Sequence, residues 1–179
     1  MVAMTLYVCS LKVTKAQTVP VDPDYHLVRF PYGAAESWDP HNMHPATQPD
    51  GTVSLHPDAR SGLIWPCVAG WASLIGIVFW EAGQSSEYRG RFIRDPLSLT
   101  TGYDSTATRD DAPTPGGQYK TYHHEMVVHP RTPVGFAVRH NATSPLDITL
   151  AEFKVAIETG VAAIPEPPPY LVGRSLPDR

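Results

Sequence analysis

The chain has 179 residues, 18 acidic and 14 basic, for a net charge of −4. That length fits one domain, which at this size buries about 70% of its unfolded surface and needs no disulfide or metal scaffold. The mild acidic surplus argues against duplex DNA or an anionic membrane as the main partner. The 19 prolines argue against a helical bundle, because proline is excluded from helix interiors and central strand positions.

In chain order, residues 4–13 alternate, with Tyr7, Cys9, Leu11 and Val13 on one side, and read as a strand. Pro20 and Pro23 mark an extended connection, and Tyr25 to Phe30 reads as a second strand ending at Pro31. Residues 33–62 are rich in Gly, Pro, Asp, Asn and Ser. They read as a long ordered loop with a short strand candidate at Thr52 to Leu55, pinned by Trp38, Met43 and Leu55. Leu63 to Trp65 stops at Pro66. The run from Gly70 to Trp80 carries no charge and is apolar on both faces, so it predicts a central strand, covered twice by core or once by core and once by an interface.

Tyr88 to Arg94 is a strand carrying Arg89, Arg91 and Arg94, which are expected to be solvated or to pair across a subunit contact. Residues 95–119 read as loop. Strands follow at Glu125 to His129, Val134 to His140 and Asp147 to Leu150; Phe153, Val155 and Ile157 mark a last one, where propensity also allows a helix over 150–159 but the strict period of two favours a strand. Some eight short strands without βαβ alternation predict an all-β jelly-roll β-sandwich over residues 25–159. Residues 1–24 are then an N-terminal strand and linker arm, and 160–179 an extended Pro-rich tail that prefers polyproline II.

Cys9 and Cys67 lack any CxxC context and read as two reduced thiols. The N-terminal residues lack the basic and unbroken apolar regions of a signal peptide, and no apolar run is long enough to span a bilayer. The expectation is a soluble protein made in the cytoplasm, without membrane insertion.

His41 and His44, three apart, with His56 and His123-His124 beyond, invite a metal reading, but no ligand set with zinc spacing can be assembled. GxSxG, HExxH and SxxK are absent, as is any glycine-rich phosphate loop. Neither an enzyme nor a cofactor is expected. Asn141-Ala142-Thr143 matches the glycosylation sequon and reads as a turn. Trp38, Trp65, Trp71, Trp80 and Tyr88 read chiefly as core and interface packing, with a sugar platform as the alternative.

Several of these elements resemble one family. Trp38-Asp39-Pro40-His41-Asn42-Met43-His44 is similar to the aromatic-Asp-x-x-x-Met-His segment that precedes the first core strand in C1q-like and TNF-like jelly rolls of phage tail and decoration proteins. Ile64 to Trp71, Ser73 to Phe79, Arg89 to Ile93, Val134 to Val138 and Phe153 to Ile157 occupy the places of the family's later strands. Two turns depart from the pattern. Pro130-Arg131-Thr132-Pro133 replaces a Gly-Asp turn, and Asp95-Pro96 replaces an Asn-Gly turn.

The resemblance implies a non-enzymatic virion protein, a minor tail, tail-tip or head-surface decoration subunit. It also implies homotrimers that contact other virion proteins, with no nucleic-acid partner. Trp71 and Trp80 are the candidate subunit contacts on the strand. Pro167, Pro168, Pro169, Tyr170 and Leu171 are those on the tail, which would strap across a neighbour. A second reading is a binding module for host cell-surface glycan, with Trp38, His41, His44 and Tyr103 as the ligand loop. A third, a cupin-like enzyme, would require histidines clustered inside the barrel.

Overall fold

The computed structural model describes residues 5–83, 85–97, 104–111 and 117–160. Eleven strands pair antiparallel in two sheets: β1 (Thr5–Val13), β2 (Gln17–Val19), β3 (His26–Leu27), β4 (Glu36–Trp38), β5 (Leu63–Ile64), β6 (Gly70–Trp80), β7 (Tyr88–Arg94), β8 (Asp104–Asp111), β9 (Gln118–Val128), β10 (Val134–His140) and β11 (Leu146–Thr159). The first sheet runs β4-β1-β11-β6-β9, with β2 also paired to β11. The second runs β3-β10-β7-β8, with β5 also paired to β10. Neighbours in the sheets are mostly distant in sequence, as in the crossed connections of a jelly-roll β-sandwich. No α-helix occurs among the described residues; a single 3-10 turn spans Ala59–Gly62.

The core lies between the sheets and is keyed by aromatic rings set against glycines. On β6, inward residues Ala72, Leu74, Val78 and Trp80 are buried, and Gly76 sits in their middle. In register beside Gly76 are Phe153 of β11 and Tyr122 of β9, so the row reads aromatic–glycine–aromatic. The ring of Phe136, from β10 in the opposite sheet, enters that notch. A Cβ on Gly76 would lie 2.6 Å from its Cζ. The reciprocal notch is Gly90 on β7, where a Cβ would lie 2.6 Å from the Tyr122 ring. Phe92 stands 5.2 Å from Phe136 and 6.1 Å from Phe153, and Trp80 packs on Tyr88 at 5.2 Å, all within the preferred range for aromatic pairs.

Several expectations change in detail. The strand at the N-terminus lies inside the first sheet, pairing with β11 from Thr5↔Thr159 to Val13↔Ala151, because Cys9, Leu11 and Val13 need the same core as Phe153 and Val155. The two strands expected at 147–150 and 153–157 are one, β11, with an irregularity between Ile148 and Leu150. Thr52 to Leu55 forms only an isolated bridge, Thr47↔Val53. The region 95–119, read as loop, contains β8 and the start of β9. The tail beyond residue 160 lies outside the described residues.

At both departures from the family's turns the backbone makes the turn without glycine: Asp95 has φ 51° and Arg131 has φ 68°. The Asp95 amide donates to Pro133 O at 2.7 Å, so the two turns hold each other.

Filling the central notch should be costly. Gly76→Val is expected to lose about 1–3 kcal/mol by overpacking, and Phe136→Ala about 3–5 kcal/mol by leaving a cavity. Urea unfolding midpoints at unchanged slope would measure both.

Candidate subunit interface

The second face of β6 decides where contacts with other chains can form. Outward residues of the first sheet fall in rows set by register. Leu6, Glu158, Trp71 and Val127 form one row, and Val8, Ala156, Ser73 and Glu125 the next. Ser10, Lys154, Ile75 and His123 follow, then Lys12, Glu152, Ile77 and Thr121, and at the far end Leu150, Phe79 and Tyr119. Down the middle of these rows runs an apolar stripe, Trp71, Ile75, Ile77 and Phe79, broken only by Ser73. Leu6 and Tyr119, at opposite ends, are exposed, and the Phe79 and Tyr119 rings meet at 4.6 Å.

Polar groups border the stripe and are paired among themselves. Glu125 accepts from Trp71 Nε1 at 3.3 Å and from Ser73 Oγ at 3.2 Å. Lys154 lies 2.6 Å and Lys12 3.5 Å from Glu152. The hydrogen bond from Lys154 holds the Glu152 carboxyl below the usual carboxylate range, against the opposing effect of partial burial. Such a surface has an apolar centre and a polar rim, the anatomy of a protein–protein contact.

Of the two tryptophans expected at an interface, only Trp71 is placed for it, at 40% exposed. Trp80 is a correction: it is 0% exposed and packs on Tyr88 and on buried His140, whose Nε2 donates to Val19 O at 3.0 Å. The two residues are nine apart, an odd separation, and a strand alternates faces at every step. Pro167, Pro168, Pro169, Tyr170 and Leu171 lie outside the described residues. The arginines of β7 are engaged within the chain: Arg91 covers the Tyr25 ring at 3.9 Å and Arg89 pairs with Glu87 at 2.6 Å.

The expected ligand loop divides. Trp38, on edge strand β4, is 61% exposed. His41 is exposed, with its ring 4.7 Å from that of Tyr7. His44 is instead buried: its ring stacks on Tyr32 and its Nε2 donates to Ser61 O at 3.0 Å, so it is part of the loop's frame and not a ligand contact. Tyr103 lies outside the described residues. Trp38 and Leu55 do not pin the loop 33–62, since both face solvent. Buried Met43 does, with two carboxylates that the sequence reading passed over. Asp39 accepts from the Met43 and His44 amides at 2.9 and 2.8 Å, and Asp58 from Ser54 Oγ, Leu55 N and Ser61 N at 2.7 to 3.0 Å. Asp58 caps the 3-10 turn.

Among the described residues no three His, Cys, Asp or Glu side chains gather as a metal would require. Neither cysteine is in a disulfide. Burial raises the pKa of exposed-edge Cys67, the opposite of an activated nucleophile. The Asn141 amide bonds Ser86 Oγ, and its oxygen accepts from Ser85 Oγ and Ser86 N, tying down a turn.

No family model matches the sequence, and no curated protein is similar to it. Solved structures are. Eiger TNF from S. frugiperda is 10% identical with a TM-score of 0.55, over 96% of this chain and 99% of that one. Murine APRIL is 10% identical with a TM-score of 0.50, over 84% and 98%. The globular domain of zebrafish complement 1qA is 10% identical with a TM-score of 0.48, over 84% and 95%. The fold is that of the TNF-like jelly rolls. In this frame the apolar stripe occupies the outer face of the six-stranded sheet along β6, between β11 and the edge strand β9.

Burial pushes the Asp58 carboxyl up, but its hydrogen bonds outweigh that and hold it below the usual range. A depressed carboxylate stabilises the fold above its unfolded pKa, and the contribution is lost as pH falls through the folded value. Asp58→Ala should therefore lower stability by about 1 kcal/mol near neutrality. The gap from the parent should narrow in the acid range, as chemical denaturation across pH would show.

Proposed function

We propose that the protein is a non-enzymatic structural subunit that self-associates through the outer face of its six-stranded sheet. The observation that carries this reading is the uncharged strand β6. Its inner residues complete the core, and its outer residues present an apolar stripe to the surface. A stripe of this kind is sequestered most economically by an identical copy in a closed assembly. The sequence resemblance suggests three copies, and a virion as the setting: a minor tail, tail-tip or head-surface decoration subunit, made in the host cytoplasm and contacting other virion proteins. The TNF-like fold is compatible with both. The Pro-rich tail is proposed as a strap onto a neighbouring subunit.

The self-association test is direct. Light scattering on the full chain at micromolar concentration should give a trimer mass. Ile75→Asp should give a monomer with an unchanged far-UV spectrum. A parent that is monomeric, or a variant that assembles as before, would sink the interface. The virion setting is tested separately by whether the polypeptide co-sediments with purified infectious particles.

A second reading is favoured by one observation, the 61% exposure of Trp38 at the sheet edge with exposed His41 three residues on. An exposed tryptophan is a stacking surface for a sugar ring, so this edge could contact host-surface glycan without disturbing assembly. On a glycan array, Trp38→Ala should abolish any signal of the parent and leave the oligomer mass unchanged.

A further inference from the structure

Between the turn after β1, the segment after β3 and the Pro57 turn lies a cleft of about 310 Å³, on the opposite side of β1 from the apolar stripe. Its floor includes the buried side chains of Val13, Val19, Val28, Val138 and Ile148, an apolar surface for a hydrocarbon body. Its polar lining has one sign. Lys15, Arg29 and His56 line it, and no aspartate or glutamate does.

Among the described residues none of these three side chains forms an ion pair. Arg29 Nε and His56 Nε2 are buried from solvent without a hydrogen-bond partner. Lys15 makes no ion pair with any described residue. His26, at the rim, is already paired with Asp22 at 2.8 Å. The wall is fixed rather than adaptable: Gln17 clamps the Arg29 backbone from both sides, Nε2 donating to Arg29 O at 2.8 Å and Oε1 accepting from Arg29 N at 2.9 Å. Asp58, the carboxylate near His56, is spent on Ser54 and on the amides of its own turn. His44, also nearby, is committed to Ser61. Buried polar atoms are normally satisfied, and these two, unpartnered among the described residues, line one cleft with the basic Lys15.

We propose that this cleft binds a small organic monocarboxylate, its carboxylate held by Arg29, His56 and Lys15 and its hydrocarbon body lying on the valine-lined floor. Volume and lining, apolar side chains beside several polar groups, fall within the general pattern of small-molecule sites. The charge-assisted hydrogen bonds supply orientation. Burial, then Lys15 and Arg29, hold the His56 pKa below its usual value, with Asp58 acting against them and His44 with them. A bound carboxylate would raise it, so binding should draw a proton onto His56 and strengthen as pH falls.

Titration calorimetry of the full chain with octanoate tests this. One-to-one binding is expected, tighter at pH about 6 than at about 8. Octanamide, which keeps the chain and removes the charge, should bind at least about tenfold more weakly, as should inorganic phosphate, which has charge and no chain. Arg29→Gln and Lys15→Gln should each weaken octanoate several-fold, whereas Lys12→Gln, on the opposite face, should not. Lys15 is exposed, so its replacement tests the site even if Arg29→Gln fails to fold. The proposal is overturned if octanoate does not bind at millimolar concentration, if octanamide or phosphate binds as well, or if Lys15→Gln binds like the parent.

Discussion

Everything else in this molecule depends on the fit of Phe136 into the gap left by Gly76. Two sheets pack face to face at about 10 Å, and flanking aromatic rings on one sheet leave no room for a third unless a side chain is missing between them. Here Gly76 is the missing side chain, and Phe153 and Tyr122 are its flanks. Gly90 does the same for Tyr122 from the other side. Because both notches must be filled at once, the sheets have one relative position. A slip of one residue would turn these rings toward solvent and β6's outer stripe toward the core. The outer stripe is therefore in its place because the inner row is.

That two-sidedness was the most legible feature of the sequence. An eleven-residue run without charge, rich in β-branched and aromatic residues, allowed only a central strand. The last strands also showed in the alternation of Val134, Phe136, Val138 and Phe153, Val155, Ile157, although β11 read as two strands. What escaped were short strands and strands at edges, whose sequences carry no apolar alternation. β8, Asp-Ser-Thr-Ala-Thr-Arg-Asp-Asp, has no apolar period at all. A signal was present in its charges: Asp104 and Asp110 stand in register with Arg94 and Arg89 of β7. β2 and β4 are three residues each, and turn chemistry around them masked the pairing.

The sites were legible in part for the same reason. Trp71 could be read as an interface candidate because its strand has a second apolar face. Parity alone could have shown that Trp71 and Trp80 face opposite ways; which one is buried came from the structure. His44 could not, since its burial rests on Tyr32 and Ser61, residues brought to it by the loop's own hydrogen bonds. The cationic cleft was invisible in sequence for a deeper reason. Lys15, Arg29 and His56 belong to three separate turns, and only the pairing of β1 and β2 with β11 brings those turns together.

The opposite orientation of Trp71 and Trp80 on one strand has an optical consequence. An indole sealed in the core changes its emission when the chain unfolds, whereas an indole half in water changes it when another surface covers it. With Trp38 and Trp65 replaced by phenylalanine, a variant keeping only Trp80 would report folding, and one keeping only Trp71 would report association. The two events could then be timed separately from positions nine residues apart.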